Sequence, residues 1–90
     1  MNAFIVTVHE YENSEDRGPA KWKSKGSDHY MVEADDAIAA ELIVQKHIKN
    51  NQWCRQETRG ADPLLEWTED IEAEFGADYT DHILETIVTL

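Results

Sequence analysis

From Gly60 to Leu90 the chain carries nine carboxylates, Asp62, Glu66, Glu69, Asp70, Glu72, Glu74, Asp78, Asp81 and Glu85, and no lysine or arginine. Carboxylates at this density can hold a hard cation, act as an acid/base pair, or present a negative surface. A calcium loop needs a central glycine and a terminal glutamate at fixed offsets, and Asp78-Tyr79-Thr80-Asp81 has neither. Acid/base chemistry needs two carboxyl groups held in different environments, and no pair is set apart in that way. A negative surface needs only a shared face. In a helix, Leu64, Trp67, Ile71 and Phe75 form an apolar stripe, and Glu66, Glu69, Asp70 and Glu74 project away from it together. Like charges three and four residues apart cost a few tenths of a kcal/mol each, a cost that lysines at those positions would offset.

Other reactive residues are scattered. His9, His29, His47 and His82 fit no spaced metal motif, and His9-Glu10 opens no H-E-x-x-H. Cys54 stands alone, so the chain can form no internal disulfide and no cysteine-based zinc site, and it reads as a semi-buried small hydrophobe in a reduced compartment. No P-loop, G-x-G-x-x-G or G-x-S-x-G occurs, and the expectation is a protein without enzymatic activity, cofactor or metal. A second candidate is the stretch Arg17-Gly18-Pro19-Ala20-Lys21-Trp22-Lys23-Ser24-Lys25, which interleaves basic residues with an aromatic. Glu12, Glu15, Asp16 and Asp28 surround it, which favours a hairpin loop that pairs its charges locally.

The elements that must position these residues follow from periodicity. Ala3–His9 alternates Phe4, Val6 and Val8 with Ile5 and Thr7 and reads as an interior strand. Residues 10–28 are polar and turn-rich, a long loop or an extended hairpin. His29–Glu33 is a short second strand. A helix follows over about Asp35–Lys49, capped by an aspartate and ended by Asn50-Asn51. Ala37, Ala40, Ile43, Val44, His47 and Ile48 share its inner face, with Ile38 and Leu42 on the more polar side. Trp53–Thr58 is a weak edge strand before an Arg59-Gly60 turn. Asp62 caps a second helix with Pro63 at its first position, and Gly76 stops it. His82–Leu90 is β-branched and apolar and reads as a central strand. The order β-β-α-(β)-α-β specifies one compact α+β domain over residues 1–90, with two helices on one face of a three- or four-stranded, mainly antiparallel sheet.

Ninety residues allow one modest core. A hydrophobic content of 41% with few glycines and prolines argues for a folded chain. No run is long enough to span a membrane and the N-terminus lacks a signal sequence, so the expected location is the cytoplasm. The net charge of −11 disfavours direct contact with nucleic acid or an anionic membrane and points to a basic partner, with the oligomeric state left open. Acid and base are segregated: all eight basic residues lie within 17–59, alongside most of ten acidic ones before Gly60. That clustering argues against salt adaptation, which would spread acid over the whole surface.

With its acidic helix, its opening strand at Phe4-Ile5-Val6 and its strand-to-helix passage at Tyr30-Met31-Val32-Glu33-Ala34-Asp35, the chain resembles the small acidic phage proteins that act against host defence, the anti-CRISPR inhibitors in particular. The resemblance implies an inhibitor that blocks the nucleic-acid-binding surface of its target, in some cases by imitating DNA. It assigns no residue. The expectation from the residues themselves is that Glu66, Glu69, Asp70 and Glu74, with Asp62, Asp78 and Asp81, meet a basic, nucleic-acid-binding protein or complex. Two alternatives stay open: a face kept for solubility, and a structural or regulatory module, antitoxin-like or a subunit, that binds through apolar surface around Ile38, Leu42 and Trp53.

Overall fold

The computed structural model describes residues 1–14 and 21–90. Among them the elements run β1 (Asn2–Asn13), β2 (Trp22–Ala34), α1 (Ala37–Gln45), β3 (Cys54–Pro63), α2 (Leu64–Phe75), α3 (Ala77–Thr86) and β4 (Val88–Thr89). The sheet order is β3-β1-β2-β4. β1 pairs antiparallel with both β2 and β3, and β4 adds parallel to β2 at Tyr30 and Met31. The fold is thus α+β, with a mixed four-stranded sheet and three helices. The polar stretch after Glu10 is an extended hairpin: β1 runs on to Asn13 and meets Trp22 at the far end of β2. The Arg17–Lys25 candidate lies partly outside the described residues; of its described part, residues 21–25, all but Lys21 belong to β2.

Alternation along β1 feeds two separate layers. Phe4, Val6 and Val8 join Val32, Ala34, Ala40 and Val44 in one buried cluster against α1. Ile5 points the other way and is also fully buried. Neighbouring residues of β2 divide likewise. Tyr30 meets His47 beyond α1 at 5.7 Å, while His29 packs on Trp67 of α2 at 5.5 Å. The expectation of helices on one face is therefore corrected: α1 covers one face, and α2 and α3 cover part of the other. A strand buried on both sides reads as a near-continuous apolar run, as Phe4-Ile5-Val6 does.

Local chemistry sets the element ends. Asp36 caps α1, its carboxylate accepting from the Ala39 amide at 2.8 Å. α1 stops at Gln45, short of the expected Lys49, because the chain must turn back for Asn50 to bridge Arg55. On its inner face Ala40 and Val44 are buried, but Ile43 is exposed. The expected Arg59-Gly60 turn is a bulge inside β3, where register shifts between Val6 and Val8 and Gly60 takes φ 133°. Asp62 remains in β3 opposite Ile5 and does not cap α2; Pro63 holds the cap position without a side-chain bond.

The C-terminal expectation fails most clearly. Residues 77–86 form α3, and only Val88–Thr89 reach the sheet, as an edge strand. The pattern that prevails is Thr80, Ile83, Leu84 and Ile87, the less exposed residues at helical spacing, over the β-branched composition of the tail. Gly76 makes the joint between α2 and α3, at φ 91° and ψ 165°, backbone angles open essentially to glycine alone. Thr80, 1% exposed, secures it by donating its hydroxyl to the Gly76 carbonyl at 2.9 Å.

Candidate interaction surfaces

The seven carboxylates marked from the sequence are all exposed. Asp62 ends β3, Glu66, Glu69, Asp70 and Glu74 lie on α2, and Asp78 and Asp81 lie on α3. Trp67 anchors α2 to the sheet at 5% exposure, which turns the opposite side of the helix outward. Leu64 and Ile71 are half-buried beside it, while Phe75 is exposed and instead meets Tyr79 of α3 at 4.9 Å. Among the described residues none of these seven carboxylates forms an ion pair; the pairs present are Lys25 with Glu12 and Arg59 with Glu57. Glu85 was missed. With residues 77–86 helical, Asp78, Asp81 and Glu85 share the face opposite Tyr79, Ile83 and Thr86, a spacing that reading the tail as a strand conceals.

A second surface occupies the half of the sheet that α2 and α3 leave uncovered. Beyond Thr7, the side chains on their side of the sheet are His9 and Tyr11 of β1, Trp22, Ser24 and Ser27 of β2, and Arg55, Glu57 and Arg59 of β3. The Arg55 guanidinium sits 4.3 Å over the Trp22 ring. Tyr11 Oη donates to Glu57 Oε1 at 3.2 Å and accepts from Arg59, which also pairs with Glu57 at 2.6 Å. His9 stacks on Tyr11 at 5.3 Å, with its ring nitrogens 3.3 Å and 3.1 Å from the Ser24 and Ser27 hydroxyls. Among the described residues no carboxylate is bonded to that imidazole, which both serines hold instead. The arrangement is a fixed platform of aromatic and cationic groups, formed because the bulge at Glu10/Tyr11 and the register of β3 bring distant residues together.

At the step between these regions a cleft of about 530 Å³ opens between α3 and β2, lined by Asp28, His29, Tyr79 and His82 among others. Burial there lowers the His29 pKa below its usual 6.5, against a smaller opposing pull from Asp28. On the far side of the sheet, Cys54 Sγ donates to Glu10 at 3.4 Å, and burial together with that carboxylate raises its pKa, the opposite of what an activated nucleophile needs. Among the described residues no three histidine, cysteine or acidic side chains converge so as to hold a metal, and no helix is long and apolar enough to cross a membrane. Ile38 and Leu42 are 74% and 50% exposed on α1, and Trp53 lies exposed just before β3.

Comparison with protein-family models, with curated proteins and with solved structures finds no match for this chain.

Proposed function

We propose that the protein is an acidic binding protein that inhibits a nucleic-acid-handling protein complex, in the manner of an anti-CRISPR DNA mimic, by occupying its basic surface with α2 and α3. The supporting observation is the exposed run of carboxylates on these two helices, unpaired among the described residues and without a lysine or arginine from Gly60 onward. Neighbours on a helix face lie about 5–6 Å apart, comparable to the separation of successive phosphates along a strand. A field of one sign steers encounter with a lysine- and arginine-rich channel and makes the complex salt-sensitive. The mechanism is competition for that channel and calls for no metal, cofactor or covalent step.

The test is a pull-down from host lysate at low and high salt, followed by a DNA-binding assay on the complex recovered. The expected result is a nucleic-acid-handling complex released by salt, whose DNA binding the protein abolishes. A recovered complex that binds DNA equally well with the protein bound contradicts the proposal. The exposure of Ile38 and Leu42 favours a second function, a structural or regulatory module that docks through α1. Salt-insensitive association abolished by Leu42→Asp would mark it.

A further inference from the structure

We propose that the uncovered half of the sheet binds the α2–α3 layer of a second copy of this chain, giving a two-fold symmetric dimer. The contact goes beyond the function proposed above and does not depend on it. The argument starts from shape. β1 and β2 run 12 and 13 residues, roughly 40 Å of strand, whereas α2 spans 12 residues, about 18 Å. One side of the sheet therefore carries a step. Its high part is the helical layer, docked where Trp67 meets His29, and its low part is the platform of Tyr11, Trp22, Arg55 and Arg59.

Two such steps close on each other when the stepped sides face and one molecule is turned by half a rotation. Each helical layer then fills the other copy's open half, and the contact is made twice with nothing left over, as closed two-fold symmetry requires. The depth of the step agrees, being one helix with its side chains, about 10 Å.

Charge selects the same arrangement. The outward side of the helical layer presents Glu66, Glu69 and Asp70, and nothing cationic follows Gly60. The platform presents Arg55 and Arg59, with Glu57 paired to the latter. Arg55 is held flat by Trp22 and Arg59 by Tyr11 and Glu57, so little side-chain freedom is lost on contact. The Arg–carboxylate contacts act at short range and are weakened by salt, which makes the dimer a low-salt species despite the like net charge of the two copies. Dimerisation covers the carboxylates offered to a basic target, so the free monomer is the form competent for that role.

Sedimentation velocity of the purified protein alone tests this without any target. A dimer is expected at low salt and about 100 µM, with a shift to monomer as salt is raised. Arg55→Glu with Arg59→Glu should weaken self-association about tenfold or more, as should Glu66→Arg with Glu69→Arg and Asp70→Arg. Mixing these two variants should restore a dimer, because each mixed contact then pairs opposite charges. Circular dichroism checks that both are folded, and the milder Arg55→Gln with Arg59→Gln should lower association several-fold. A wild-type protein that stays monomeric at low salt overturns the proposal. So does a dimer indifferent to salt and to these substitutions, or a mixture that fails to associate while both variants are folded.

Discussion

Truncation of Trp67 separates four residues that helical spacing alone treats as equivalent. Leu64, Trp67, Ile71 and Phe75 share one stripe of α2, yet Trp67 is 5% exposed and Phe75 is 53% exposed. Removing a buried tryptophan side chain costs about 3–5 kcal/mol, including its ring contact with His29. A domain of this length is held by roughly 5–14 kcal/mol in all. Trp67→Ala should therefore remove between about a fifth and all of the stability and lower the melting temperature by more than about 12 °C. Phe75→Ala, which leaves no buried cavity, should cost under about 1 kcal/mol. Urea unfolding followed by far-ultraviolet circular dichroism measures both differences under one set of conditions. Equal losses in the two variants, or a loss below about 1 kcal/mol for Trp67→Ala, would refute the placement of α2 on the sheet.

Two further outcomes follow from the same region. Burial holds the folded-state pKa of His29 below its unfolded value of 6.5, so the unfolded chain binds this proton more readily. Its contribution is complete above that value and is lost as pH falls through the lowered folded pKa. The stability gap between wild type and His29→Gln should therefore narrow between about pH 7.5 and about pH 5; a constant gap would contradict it. At the joint of α2 and α3, Gly76→Ala meets no neighbouring atom within 4 Å, so its cost is backbone strain alone, about 1–3 kcal/mol. An unchanged urea midpoint would show that Gly76 does not hold its positive φ.

Much of the scaffold was legible where local and long-range demands agree. The alternation at Phe4–Val8, the aspartate cap of α1 and the stripe around Trp67 each satisfy burial and local geometry at once. The tail departs from a strand because Ile83, Thr86, Ile87, Val88 and Thr89 favour one locally, whereas burying Thr80 with Ile83, Leu84 and Ile87 half-buried at helical spacing makes most of it a helix. The acidic face needed only spacing and charge to be found, apart from Glu85, which was lost with that helix. The platform could not be seen in advance. Tyr11 meets Arg59, 48 residues away, only through the register of β3, and no periodicity encodes that pairing.

The proposed role of the acidic helices is tested most directly by repeating the low-salt pull-down with Glu66→Lys, Glu69→Lys and Asp70→Lys combined. All three side chains are exposed and unpaired among the described residues, so the variant should fold as the wild type does. If these carboxylates engage a basic nucleic-acid channel, the partner held by the wild type will be absent from the variant and displaced from the wild type by excess duplex DNA. Retention of the same partner by the folded triple variant, at wild-type affinity, would contradict it.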